Sequence, residues 1–180
     1  VSPLPLRHAL RYDPVFLELG RRLAGGEFGP PTGVSSSSVL PSPEDVSEIV
    51  AFWVLLLGVP SFSSLRIDPA ASLYRAIFAY SGFGLTADLV VVGSGSLPYG
   101  PTLTGSASCA RAFFDFRFGS ERLLSYAPDE DSHVPVALPE GDGAFYRAMD
   151  LKVPADRRLV PEEADAAALA FARDLLTRGS

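Results

Sequence analysis

Ile49 to Leu57 is the longest strongly apolar run in the chain. From Ala51 to Leu57 the residues are apolar whichever way they face, and a helix without a polar face has to be covered on all sides. A membrane span needs about 20 such residues, and this run is far shorter. The run therefore predicts a central helix over 43–57 around which the rest of the chain packs. Ser42 and Asp45 precede it at capping-box spacing, with Asp in place of the usual Glu.

The same start signal recurs. Asp13–Pro14 and Asp68–Pro69 place a capping side chain before a proline at the first helical position, and Val160–Pro161 keeps the proline. Apolar residues at helical spacing follow each, so helices are expected over 14–24, 69–80 and 161–177. Strands are expected over 88–92, 133–138 and 145–153. Phe114, Phe116 and Phe118 alternate with Asp115 and Arg117, then Gly119–Ser120 offers a turn before 121–126. That pattern predicts a hairpin with an aromatic inner face. Two stretches, near 25–41 and 93–108, are rich in Gly, Pro and Ser and nearly free of charge, and are expected to be long loops.

These elements add up to an α+β fold. The expectation is one domain over 1–180, a helical N-terminal part on a small, mainly antiparallel sheet, closed by a C-terminal helix. A mixed α/β sheet is the alternative, because 88–92 follows a helix and is apolar enough to be central.

The side chains available restrict the chemistry. The sequence has no Asn or Gln, one Lys (Lys152), one Cys (Cys109) and two His (His8 and His133). The net charge is −6 and the Arg residues are scattered, which argues against nucleic acid as a partner. A lone Cys makes no internal disulfide, and without Asn there is no N-glycosylation acceptor, so an intracellular protein, or one within a particle assembled inside the cell, is expected. The first residue is Val1, which leaves a processed, trimmed or partial product open.

Cys109 with His133 is the best enzyme constellation on offer. It would need Cys109 in the first turn of a helix, where the dipole favours a thiolate, and Asp142 to orient the imidazole. Asp129, Glu130 and Asp131 form an acidic run with oxygen ligands for a divalent cation, although the EF-hand pattern is missing. The bland alternatives are a buried structural Cys, a loop His and a solvated acidic turn. Val90–Ser96 resembles a strand entering a dinucleotide loop, but Pro98 stands where the third Gly and a helix should begin. No cofactor is expected on these grounds.

Few catalytic side chains, low charge and two long uncharged loops together point to a non-enzymatic module, a subunit or accessory component of an assembly such as a shell or capsid that binds another protein subunit. A small Cys/His hydrolase or transferase and an acidic inhibitor or immunity-type protein are the alternatives.

Overall fold

In the computed structural model, which describes residues 4–129 and 132–179, the apolar run forms the middle of α3 (Glu44–Leu57). Ala51, Phe52 and Trp53 are almost wholly buried. Two helices flank α3 on the same side of the sheet, α2 (Pro14–Ala24) and α5 (Glu162–Gly179). Asp13 caps α2 by accepting from the Val15 N–H at 3.0 Å, and Ser42 Oγ accepts from the Glu44 N–H at 3.1 Å. Phe16 of α2 meets Phe52 edge-on, with ring centroids 4.8 Å apart. A short α1 (Leu6–Arg11) precedes α2, and α4 (Gly143–Asp150) precedes α5.

Among the described residues the sheet has eight strands: β1 (Pro31–Leu40), β2 (Phe62–Asp68), β3 (Leu73–Ala79), β4 (Gly84–Val91), β5 (Thr102–Cys109), β6 (Ala112–Phe118), β7 (Leu123–Asp129) and β8 (Ser132–Pro135). Their order is β2-β3-β4-β1-β5-β6-β7-β8. β1 runs parallel to β4, and every other neighbouring pair is antiparallel. The α+β expectation holds. The sheet, however, is large where a small one was expected, and its one parallel pair makes it mixed, as the alternative expectation had it.

Both stretches expected to be long loops hold strands of this sheet. Residues 31–40 are β1, hydrogen-bonded to β4 on one side and β5 on the other, and residues 102–109 are β5. Ser36 and Ser38 face the core and Ser35 and Ser37 face out, so the serine run alternates as a strand must. Ladder bonds on both edges outweigh the low strand propensity of Ser and Gly.

Two helix–strand assignments also reverse. Residues 69–80, expected as a helix, are the turn and second strand of the β2–β3 hairpin. Asp68 Oδ1 accepts from the Ala70 N–H at 3.1 Å, which closes a turn, and Ser72 adopts a left-handed φ of 49°. Residues 145–153, expected as a strand, lie mostly in α4, whose first turn Asp142 caps through the Phe145 N–H at 2.7 Å.

Phe114 and Phe116 are buried on the inner face of the expected β6–β7 hairpin, whereas Phe113, on the other face, is half exposed. α2, α3 and α5 all pack on that inner face: Phe116 meets Phe16 at 5.6 Å and Phe78 of β3 meets Phe171 of α5 at 6.0 Å.

Candidate functional site

The polar residues that the fold gathers lie where α1 meets α3, α4 and α5. Arg7 and His8 sit side by side on α1. Arg7 donates to Glu48 of α3 through Nη1 at 2.8 Å, and to Asp165 of α5 through Nε at 2.7 Å and Nη2 at 2.9 Å. These hydrogen bonds and charges, the bond to Asp165 foremost, hold the Arg7 guanidinium charged well above its ordinary range despite burial. Burial by itself would raise the Asp165 carboxyl; the bonds from Arg7 and His8 outweigh it and hold this group below the usual carboxylate range. Asp165 also lies in the first turn of α5, where the helix dipole favours an anion.

That ionised carboxylate selects the tautomer of a neutral His8 ring. His8 Nε2 lies 2.7 Å from Asp165 Oδ1. A carboxylate only accepts, so Nε2 carries the proton and donates, and in the neutral ring Nδ1 is left as an acceptor. His8 is 7% exposed, and its Nδ1 is buried with no hydrogen-bond partner among the described residues. Buried polar atoms are nearly always satisfied, so an open acceptor here is a departure that calls for an explanation.

His8 borders a cavity of about 250 Å³. Tyr12, at the end of α1, forms one wall and donates its hydroxyl to Asp150 Oδ2 at 2.8 Å. Burial, then the bond to Asp150, pushes the Tyr12 phenol well above its ordinary value, so it stays a neutral donor. Asp150 Oδ1 accepts from the Leu159 N–H at 2.7 Å, which ties the end of α4 to the segment leading into α5. Arg147 of α4, Arg158 and Glu162 complete the polar lining. Arg158 points its guanidinium at the Val153 carbonyl at 3.3 Å.

The residues singled out from sequence fall elsewhere. Cys109 ends β5, paired with Ala112 across a tight turn, so it lies in a strand and not in the first turn of a helix. It is buried, and desolvation raises its thiol pKa, the opposite of what a nucleophile needs. His133, on β8, lies on the outer face of the sheet with Nδ1 3.3 Å from Asp115 Oδ2, both side chains about half exposed. β6 and β7 separate it from Cys109, which faces the core. Asp142 caps α4 and does not orient His133. The structure thus keeps the three apart. Asp129 ends β7, while Glu130 and Asp131 lie outside the described residues; among the described residues no group of three or more His, Cys, Asp or Glu is placed to hold a metal ion. Sequence reading passed over His8. The available signal was a histidine next to Arg7 just ahead of a capped helix, but its partner Asp165 lies 157 positions away.

No family model matches the chain, and no curated protein matches it in sequence. Solved structures do share its fold. A Thermotoga maritima protein named as an oxidoreductase superposes with a TM-score of 0.71 at 13% identity, covering 96% of this chain and 60% of its own. The UDP-N-acetylglucosamine 3-dehydrogenase of Acidithiobacillus ferrooxidans gives 0.68 at 16% identity, over 93% of this chain and 58% of its own. A Desulfitobacterium hafniense protein named as an NADPH-dependent oxidoreductase gives 0.67 at 9% identity, over 95% and 62%. The chain thus spans about 60% of the length of such proteins.

These matches overturn the expectation of a structural module of a shell or capsid, and with it the inhibitor alternative: the fold is one carried by proteins named as enzymes. The physical ground for the assembly reading fails too, since the uncharged segments thought to lie on a neighbour are central strands of the chain's own sheet. The separation of Cys109 from His133 removes the Cys/His hydrolase.

Proposed function

We propose that this chain is the substrate-side portion of a hydroxyl–carbonyl oxidoreductase of the Gfo/Idh/MocA type. The observation that carries the reading is the Asp165–His8 pair at the cavity, with Nδ1 buried and unpartnered. The whole-chain likeness to proteins named as oxidoreductases supports it.

A nicotinamide dinucleotide, the electron carrier that such names imply, does not fit the described residues. It needs a strand that enters a glycine turn and opens a helix on the pyrophosphate. β4 leads through Gly93 into a single 3₁₀ turn, then Pro98, Pro101 and β5. β1 does lead to a helix, but Glu44 and Asp45 occupy its first turn and repel a phosphate. The part these residues can play is on the proton side.

An alcohol that becomes a carbonyl loses its O–H proton to a base and its C–H hydrogen as hydride to an electron carrier, which would have to be held outside the described residues. His8 Nδ1 is an acceptor for the proton, and the imidazolium so formed is stabilised by Asp165, which also fixes the ring. In the reverse direction the same nitrogen returns the proton to the carbonyl oxygen. Arg7 keeps Asp165 ionised and in place.

The test uses the protein as purified from its source. Oxidation of a panel of polyols and sugars, followed by nicotinamide absorbance, should fall by about two orders of magnitude in His8→Gln, the usual scale for loss of a positioned base. Gln keeps a donor to Asp165 and removes the base. An unchanged rate in H8Q, or no dinucleotide-linked turnover across the panel, overturns the reading.

A further inference from the structure

Three groups at this cavity have unused bonding capacity. His8 Nδ1 is a buried acceptor without a donor. Glu162, at the start of α5, is exposed, and its side chain is unpaired among the described residues. Among the described residues the side chain of Arg147, half-buried on α4, makes no hydrogen bond or ion pair, although its neighbours are heavily bonded: Asp150 serves Tyr12 and Leu159, and Asp165 serves Arg7 and His8. A guanidinium free to present its planar fork beside a cavity is a carboxylate receptor. Glu162 and the His8 ring both belong to the cavity wall, and an acceptor there calls for a hydroxyl donor.

We infer that the cavity binds a small hydroxy-carboxylate of the sugar-acid kind, its carboxylate on Arg147 and its hydroxyls toward His8 and Glu162. The inference rests on the oxidoreductase reading only for what happens to the hydroxyl afterwards; binding itself needs nothing beyond the residues named. Around the cavity Arg7 already pairs with Asp165, Arg11 lies close enough to Asp150 to interact with its charge, and Arg158 is directed at backbone carbonyls. Among the described lining residues this leaves Arg147 as the guanidinium without a side-chain partner, and its planar fork of N–H donors matches the two oxygens of a carboxylate. A cavity of about 250 Å³, just under the usual size of a ligand pocket, suits a small molecule such as a sugar acid.

D-Gluconate and D-glucitol share a carbon chain and differ in having a carboxylate or a hydroxymethyl group at one end. Both are titrated into the 180-residue chain, with binding read by calorimetry and by the imidazole nitrogen signals. His133→Gln, on the outer face of the sheet, leaves His8 as the only histidine and so assigns its signal. Gluconate should bind at least tenfold more tightly than glucitol and shift the His8 signal. Arg147→Met should abolish that preference while leaving glucitol binding and the melting temperature unchanged, and H8Q should weaken both ligands. Equal binding of the two compounds, a preference that survives R147M, or no binding of either overturns the inference. Failure here together with dinucleotide-linked turnover leaves the oxidoreductase reading standing. A gluconate preference without any turnover does the reverse.

Discussion

At the scale of single residues, burial decides what a reactive side chain does. Cys109 and His8 are both well buried, yet their surroundings differ in kind. Cys109 is enclosed by apolar neighbours, and desolvation raises its thiol pKa, so the thiolate is suppressed. His8 is enclosed by a charged network that fixes its tautomer and leaves one nitrogen open. Iodoacetamide should therefore label Cys109 slowly in the folded chain near neutral pH, and rapidly once denaturant opens the β5–β6 turn. A labelling rate on the folded chain close to that of the unfolded chain would show that the thiol is accessible and the packing around it loose. His133, the histidine that sequence reading preferred, forms an exposed pair with Asp115. Such surface pairs contribute about 0–1 kcal/mol and hold nothing in position for chemistry.

At the scale of elements, Gly105 shows how closely the central strands approach. A methyl added there would run into the Ser35 carbonyl oxygen and lie 2.7 Å from Phe116 Cζ and 2.8 Å from Ser36 Cα. Phe116 pairs with Gly105 across β5 and β6, and its ring also packs 5.9 Å from that of Trp53. Gly105→Ala should therefore cost about 3 kcal/mol, the upper end of ordinary overpacking, because two backbones and an aromatic ring must yield together. Chemical denaturation measures it, and a loss within about 0.5 kcal/mol, the usual range for surface changes, would mean that β1 and β5 part easily. The same closeness explains what the sequence concealed. A Gly/Ser-rich segment reads as a loop unless its partners are known, and β1 and β5 owe their strand conformation to those partners. α2, α3, α5 and the β6–β7 hairpin were legible because cap, period and turn agree locally. The β2–β3 hairpin was not, because Asp–Pro starts turns as well as helices, and 73–80 has apolar residues at spacing four as well as two. Of the candidate site almost nothing was legible, since Arg7, Glu48, Asp150 and Asp165 meet only through tertiary packing.

At the scale of the whole molecule, acidic groups held in their charged form should set how the fold responds to pH. Glu18 accepts from Arg21 Nη2 and Arg22 Nε, each at 2.7 Å, and these bonds, the one from Arg21 first, draw its carboxyl from 4.5 down to about 2. Arg22 also lies 5.7–5.9 Å from the ring centres of Phe28, Phe114 and Tyr126, so Glu18 holds a cation that braces α2 against the sheet. Asp165 and Asp88 are lowered in the same direction. A carboxyl with a lowered folded pKa contributes stability that is full above its unfolded value and is lost as pH falls toward the folded value. Asp13 and Asp45 are raised, chiefly by burial, and work in the opposite sense, favouring the folded state as they take up protons. For Glu18 the window runs from 4.5 down to about 2. Glu18→Gln should then be less stable than the natural chain by about 1–2 kcal/mol at neutral pH, an amount already reduced for the exposure of Arg21. The two denaturation free energies should converge as pH is lowered through that window, because protonated Glu18 and Gln are electrically alike. Curves that stay parallel down to pH 2.5 would mean that Glu18 contributes through packing rather than charge, and that the acid sensitivity of the fold lies with Asp165 and the α1 network.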